Sequence, residues 1–399
     1  MSISVQPPHM TSLSLLLPAE PLLLMGAGPV PIPHAVAQAN GVVINHLGPT
    51  MERVIDGLKR MAAYAFQTRS DKVIGVAGSA SAAMEMAVSN LAWPGRRVLS
   101  LVSGTFSRRL AEMATGVGAD VTIVESTTPS PITAAMARDA LAQGSYDVVT
   151  IVQGETSCGV LNVELPEIAA AVKEHGALLI VDAVCTLTTM PLQMDDWGID
   201  VCVTGGQKGL SSIPGVSLIA FSEAAWDTVR SRPRPMPHWC LDATRAWRFW
   251  GHHTYHYTAP VPGILALYQA LRLIAIEGLE ERFRRHAHCS AALQAGLEAM
   301  GLELFVPTEF RLPSVVAIKA PPGIDPGAVR RHMADKHGVE IAGAFGLDII
   351  RIGQMGEQCR SHRLFHVLSA LGESYRRFGL DLDVARGMGA LEAALGADG

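Results

Sequence analysis

The sequence predicts an α/β protein: a mostly parallel sheet with helices on both faces, followed by a smaller α+β domain. Short apolar runs without in/out alternation, typical of buried parallel strands, recur between helical segments of roughly 10–15 residues. Of the 399 residues, 49% are hydrophobic and only 17% are charged. That composition is sufficient for one large core and a second, smaller one.

The chain divides into three parts. We expect an N-terminal arm over 1–25, a large domain over 26–260, and a linking helix with a small domain over 261–399. Strands of the large domain are predicted at 73–76, 97–102, 120–124, 146–152, 177–184, 201–204 and 216–221. The helices between them are predicted at 51–66, 82–91, 110–115, 132–142 and 165–174. In the small domain, strands are expected at 314–320, 339–343 and 349–352, and helices at 329–336 and 361–378.

Composition argues against several classes of partner. The net charge is −5, and no basic run with interleaved aromatic residues indicates a nucleic-acid partner. The apolar runs 12–17 and 21–25 are too short and too interrupted by proline for a membrane span, so we expect no membrane partner. Six cysteines lie without CxxC pairs or metal-ligand spacing, which favours a reducing cytoplasm and no metal.

The central stretch of the chain, 176–215, contains two buried strands that carry unusual polar residues. Asp182 lies within the first run, and Lys208 follows the second run in Gly205-Gly206-Gln207-Lys208-Gly209. Ligands of open α/β sheets collect at the carboxyl ends of strands, so both residues are expected at one crevice. A carboxylate and an amine placed in this way suit pyridoxal phosphate, with lysine forming a Schiff base and aspartate keeping the ring nitrogen protonated. Taken singly, Asp182 is better explained as a loop cap and Lys208 as a solvated loop residue. Taken together, and with the flanking glycines, the two residues favour the cofactor site.

Other candidates follow neighbouring strands. The small-residue run at 77–81 precedes a helix and predicts a phosphate site, although such residues also begin helices as simple caps. Phe106 could stack on a flat ring, or belong to the core. Ser157 could offer a hydroxyl, or be an ordinary turn serine. Arg351, inside a predicted strand, suits a substrate carboxylate, with a structural ion pair as the competing interpretation.

Several motifs together resemble the class V aminotransferases of fold type I, within them the alanine–glyoxylate and serine–pyruvate aminotransferase family. The resemblance spans about Gly26 to Leu371. Its matching stretches are Gly26-Ala-Gly-Pro29, Gln67-Thr-Arg69, Gln153-Gly-Glu-Thr-Ser-Cys-Gly159, Val181-Asp-Ala-Val184, Gly206-Gln-Lys-Gly209, Tyr255-His-Tyr-Thr258, Glu277-Gly-Leu-Glu280 and Arg351-Ile-Gly353.

The resemblance implies a pyridoxal-phosphate aminotransferase acting on a small amino acid and a 2-oxo acid. Lys208 would bind the cofactor and move the proton, and Asp182 would pair with the ring nitrogen. The other implied cofactor contacts are Phe106 and Ser157 at the ring and Ser79, Ala80, Ser81 and Gln207 at the phosphate. Tyr255 and Thr258 would reach that phosphate from the second subunit, which implies a homodimer with shared sites. Arg351 would bind the α-carboxylate, with Ala27, Gly28 and Ser157 beside the substrate.

Two departures from the family pattern leave alternatives open. Relatives often have Ser-Gly-His where this chain has Ser79-Ala80-Ser81, so the phosphate contacts could be rearranged. Relatives specialised for ureidoglycine carry Asn where this chain has Tyr255, which argues against that substrate. The alternatives are a pyridoxamine–pyruvate or aminophosphonate transaminase, another enzyme with the same cofactor such as a lyase, and a non-catalytic homologue. The segment 233–250 has no assigned role.

Overall fold

The computed structural model describes residues 8–396. The helices are α1 (Leu13–Leu16), α2 (His34–Asn40), α3 (Pro49–Phe66), α4 (Ala80–Leu91), α5 (Thr105–Gly116), α6 (Ala134–Ala142), α7 (Leu165–His175), α8 (Glu223–Arg230), α9 (Ala243–His252), α10 (Val261–Glu277), α11 (Leu279–Ala299), α12 (Pro326–His337), α13 (Ser361–Arg377) and α14 (Val384–Gly396). Residues 1–7 of the expected N-terminal arm lie outside the described part of the chain.

The strands fall into one large sheet and smaller ones. They are β1 (Leu23–Leu24), β2 (Val73–Ala77), β3 (Arg97–Val102), β4 (Asp120–Glu125), β5 (Val148–Val152), β6 (Gly154–Glu155), β7 (Val160–Leu161), β8 (Leu178–Asp182), β9 (Val201–Gly205), β10 (Val216–Phe221), β11 (Val315–Lys319), β12 (Val339–Glu340), β13 (Ala342–Gly343) and β14 (Ile349–Gly353). The seven-stranded sheet has the order β2-β10-β9-β8-β5-β3-β4.

The large sheet confirms the predicted mostly parallel arrangement. Only β10 runs against the other strands of this sheet, between β2 and β9. Strands β5, β9 and β10 are buried along their whole length, which explains why their sequences show no alternation. In a parallel sheet the strands that end together present their last residues at one edge, and β8 and β9 end there with Asp182 and Gly205.

The C-terminal domain has a core of its own around a three-stranded antiparallel sheet, β11-β14-β13. Helices α11 to α14 pack on this core. The N-terminal strand β1 also joins this domain, because Leu23 and Leu24 pair in parallel with Val339 and Glu340 of β12. Part of the predicted N-terminal arm is therefore a strand of the C-terminal domain.

Several segments differ from the sequence prediction. The single strand predicted at 339–343 is two short strands, β12 and β13, which belong to different sheets. Helix α5 begins at Thr105, five residues before the predicted start at 110, so that Phe106 lies in its first turn. The unassigned segment 233–250 contains most of α9, which begins at the N-cap Asp242. Helix α14 was not predicted, since its glycines interrupt the periodic pattern.

Within residues 8–396, no single helix is long and apolar enough to cross a membrane, although the pair α10 and α11, bent by 87°, passes that test when taken together.

Candidate active site

The turn that carries Lys208 is held by close backbone packing that requires glycine. A Cβ atom on Gly206 would lie 2.6 Å from the carbonyl oxygen of Ile213, and one on Gly209 would lie 2.4 Å from that of Leu187. Contacts this short exclude any side chain. The turn therefore fixes the position of Lys208 immediately beyond the carboxyl end of β9.

The amine of Lys208 lies against the N-terminal segment, where the sequence placed Ala27 and Gly28. Lys208 Nζ donates a hydrogen bond to the carbonyl of Ala27, and a Cβ atom on Gly28 would lie 2.4 Å from Nζ. Burial lowers the pKa of the Lys208 amine, against the opposing effects of Cys185 and Asp182. A lowered pKa increases the neutral fraction of the amine, which is the form that acts as nucleophile and base.

Asp182 ends β8 and is 6% exposed. Its Oδ1 accepts the N–H of Val184 at 2.8 Å. Burial raises the pKa of Asp182 to about 7, and the negative charge of Glu155 acts in the same direction. A buried carboxylate with so few donors is stabilised when a cationic partner such as a protonated ring nitrogen faces it.

The N-terminus of α4 forms an anion cradle together with the end of β9. Ser79 is the N-cap residue, but its hydroxyl accepts no hydrogen bond from the helix, so the first N–H groups at Ala80 and Ser81 keep no side-chain cap. A Cβ atom on Gly205 would lie 2.9 Å both from Ala80 Cβ and from Gln207 Oε1, which brings these residues together. Gln207 Oε1 is buried without a hydrogen-bond partner among the described residues. These polar groups fit a bound phosphate.

Glu155 organises the ring side of the site and was missed in the sequence. Its buried carboxylate accepts the N–H groups of Phe106 and Ser107 and the hydroxyl of Ser107 at 2.9 Å. It also accepts the Ser157 hydroxyl at 2.6 Å, while Ser157 Oγ accepts the N–H of Thr105 at 3.1 Å. The Ser157 proton is thus directed at Glu155. The signal for Glu155 was present in the quoted Gly-Glu-Thr-Ser-Cys-Gly run, as a carboxylate directly beyond a buried strand.

One face of Phe106 is already covered. The guanidinium of Arg109, one helical turn further along α5, lies 4.7 Å from the centre of the Phe106 ring. Arg109 also acts to lower the pKa of Asp182. Stacking of Phe106 on a cofactor therefore remains a prediction that concerns the opposite face of the ring.

Arg351 lies on β14 and is 5% exposed. Its guanidinium donates to the backbone carbonyls of Gly343 and Thr156. A guanidinium has five N–H groups, and these three donor contacts to two carbonyls leave some of the five available. Neither partner is a carboxylate. No carboxylate therefore contacts the guanidinium directly, although the charge of Glu155 acts on it from a distance, and this arrangement suits a substrate carboxylate better than a structural ion pair.

Tyr255 and Thr258 are exposed and lie in the loop that follows α9. Tyr255 is 58% exposed, with its ring edge-on to His46 at 5.9 Å. Neither residue forms a side-chain hydrogen bond within the part of the chain described here. Lys208, Asp182 and Arg351 therefore meet in one subunit without a hydrogen bond to either of these two residues.

The residues present fit pyridoxal phosphate. The unpartnered Gln207 oxygen and the uncapped start of α4 fit its phosphate, and the buried Asp182 fits its ring nitrogen. No group of three or more His, Cys, Asp and Glu residues within 8–396 is arranged to hold a metal ion.

Comparisons with known proteins agree with this geometry. Residues 34–350 match the family Aminotransferase class-V. The chain is 32% identical to an alanine–glyoxylate aminotransferase of Drosophila melanogaster, covering 96% of this chain and 100% of that protein. The crystal structure of an alanine–glyoxylate aminotransferase from Nostoc sp. is similar, with a TM-score of 0.88, 34% identity and coverage of 90% and 97%. Pyridoxamine–pyruvate aminotransferase from Mesorhizobium loti is similar with a TM-score of 0.91, 28% identity and coverage of 96% and 98%.

The chain belongs to the class V aminotransferases. It is a pyridoxal-phosphate-dependent transaminase with the fold type I architecture, as the resemblance in the sequence implied.

Proposed function

We propose that the protein transfers the amino group of a small L-amino acid, alanine or serine, to glyoxylate or pyruvate in two successive half-reactions. The observation that carries the proposal is the buried amine of Lys208, placed against Gly28 at the crevice that also holds Asp182 and Arg351. The relatives named for alanine and glyoxylate support this choice of substrates.

Each side chain has a defined task in this reaction. Pyridoxal phosphate, when bound, supplies an electron sink for the negative charge that develops at the substrate Cα. Lys208 removes the proton from Cα of the amino acid, which its lowered pKa favours, and would donate it to the cofactor carbon that carries the amino nitrogen. In the second half-reaction it would move a proton in the opposite direction. Arg351 holds the α-carboxylate, so that Cα faces the amine. Asp182 holds the ring nitrogen in its protonated form.

The proposal includes a homodimer with shared sites. Tyr255 and Thr258 are exposed on the single chain, where a second subunit could receive them. Hydroxyl groups supplied from the partner would complete the phosphate cradle at Ser79 and Gln207.

A second candidate is transamination between pyridoxamine and pyruvate. It is supported by the structural likeness to the Mesorhizobium loti enzyme and by the phosphate loop Ser79-Ala80-Ser81, which departs from the family pattern. Pyridoxal phosphate that stays with the purified protein through dialysis would count against this candidate.

The first prediction tests Lys208. Lys208→Ala should lose more than about 1000-fold in turnover, since no other amine can move the Cα proton. The measurement is the visible absorbance of the purified protein, followed during addition of alanine or serine and then glyoxylate or pyruvate. The wild type should lose its band with the donor and regain it with the acceptor.

Lys336→Ala is the matched control, because Lys336 is exposed on α12 and should keep wild-type rates. Near-normal turnover by Lys208→Ala would contradict the assignment. If no small amino acid bleaches the absorbance band of the wild type, the result would favour pyridoxamine as the amino donor.

A further inference from the structure

Arg330 is a basic residue near the site that neither the fold nor the reaction above accounts for. It lies on α12 and is partly buried. Its Nε atom is buried and has no hydrogen-bond partner among the described residues. Buried donors are almost always satisfied, so an unsatisfied Nε–H group indicates a missing partner.

Two guanidinium groups lie next to Gly343. Arg351 donates to the Gly343 carbonyl, with Nε at 2.8 Å, while a Cβ atom on Gly343 would lie 2.9 Å from Cζ of Arg330. Burial lowers the pKa of Arg351, and the positive charge of Arg330 also contributes to this. Two like charges held this close are stabilised when an anion enters between or beside them.

An open cavity lies beside Arg330, and one of its walls lies against the reacting amine. Its volume is 450 Å³, within the range of small-molecule sites, and Gly28, Arg330 and Gly343 are among its lining residues. Gly28 in turn separates the cavity from Nζ of Lys208. Glu340 also lines the cavity, but it is exposed and forms no ion pair with Arg330.

We infer that Arg330 binds a second carboxylate, at the end of the substrate distal from the α-carboxylate held by Arg351. One of the two half-reactions then takes a dicarboxylic amino acid or the corresponding 2-oxo acid, while alanine or serine occupies the same site with water beside Arg330. This inference rests on the proposed function, because it uses the site in which Arg351 orients the substrate.

The test compares dicarboxylic with monocarboxylic substrates in the wild type and in Arg330→Gln. The quantity measured is the kcat/KM of L-aspartate and L-glutamate relative to that of L-alanine, from absorbance changes of the holoenzyme. The ratio should fall about 10- to 100-fold in Arg330→Gln, since a charge-assisted hydrogen bond is lost, while alanine itself changes little. Calorimetric titration with succinate and with propionate gives a second readout, in which only succinate should bind more weakly to the variant.

Arg331→Gln is the matched control. Arg331 is the next residue on α12, is exposed and pairs with Asp325 at 3.3 Å, so its loss should leave the ratio unchanged. An unchanged ratio in Arg330→Gln, or an equal loss for all substrates, would overturn the inference while leaving transamination intact. If the wild type transaminates no amino acid, the proposed function fails, and the succinate titration still reports on Arg330. If Arg330→Gln does not fold, Arg330→Lys replaces it and should show a smaller fall in the same ratio.

Discussion

The pKa values of single side chains in the site are set mainly by their burial at the ends of the strands. Lys208 and Asp182 follow adjacent strands, and burial moves both pKa values toward neutrality, downward for the amine and upward for the carboxyl group. The sequence located both residues, because a charged residue in or beside an apolar run is conspicuous. Their pKa shifts follow from burial, which only the folded sheet supplies.

The cofactor-free protein should lose stability as the pH rises toward 7. The pKa of Asp182 is raised from 3.8 to about 7, so the unfolded chain releases this proton at lower pH than the folded protein does. Ionisation of Asp182 therefore lowers the free energy of unfolding progressively between these two pH values. Above them the loss is complete and amounts to at most about 4 kcal/mol.

Urea unfolding of cofactor-free wild type and Asp182→Asn at pH 5 and pH 8 measures this effect. The gain in stability of the variant relative to wild type should be clearly larger at pH 8 than at pH 5, where only part of the effect is present. Asp139→Asn, at an exposed position on α6, should follow the wild type at both values. Parallel behaviour of Asp182→Asn and wild type would refute the burial argument.

At the scale of elements, Glu155 ties the first turn of α5 to the segment that follows β5. The carboxylate faces the N–H groups of Phe106 and Ser107, where a negative charge is favourable because of the helix dipole. Ser157 Oγ and the Phe106 backbone thus share one acceptor.

Glu155→Gln should therefore destabilise the protein by about 2–4 kcal/mol, because an amide offers one acceptor oxygen where the carboxylate offers two. The midpoint of urea unfolding measures the loss. Glu167→Gln, on the exposed side of α7, serves as comparison and should be nearly neutral. A similar small effect for both variants would show that Glu155 does not hold α5.

Some of these elements could be predicted from the sequence and others could not. The buried strands were located because continuous apolar runs and flanking turn residues are local signals. The reversed direction of β10 was not predictable, since strand direction depends on the connection to its neighbours. Glu155 was quoted within a motif but given no role, because its partners on α5 are distant in sequence. Arg330 gave no signal, since arginine on an amphipathic helix normally faces solvent.

At the scale of the whole molecule, the proposed dimer distributes each active site over two chains. In this proposal, Lys208 and Asp182 of one subunit meet Tyr255 and Thr258 of the second subunit, and the latter two residues are exposed on the single chain. Such an arrangement makes activity a property of the pair.

Mixing two inactive variants tests this arrangement. Lys208→Ala and Tyr255→Ala should each be impaired alone, whereas co-refolded or co-expressed chains should recover up to about one quarter of wild-type activity. In a mixed dimer, one site receives both wild-type residues and the other receives neither. Absence of recovery, with mixed dimers verified by two affinity tags, would place Tyr255 in the same subunit's site.

The segment 23–30 has a consequence for the order in which the protein is built. Met25 N–H donates to Glu340 and its carbonyl accepts from Gly353, both at 2.7 Å, before the chain passes Lys208 and reaches Gln207 through Val30 N–H. On the ribosome, residues 73–221 emerge and can form the large sheet long before residues 339–353 exist. The segment 23–30, which lies over Lys208, can therefore take its final position only at the end of synthesis. A nascent or C-terminally truncated chain would present the amine of Lys208 without its substrate cavity.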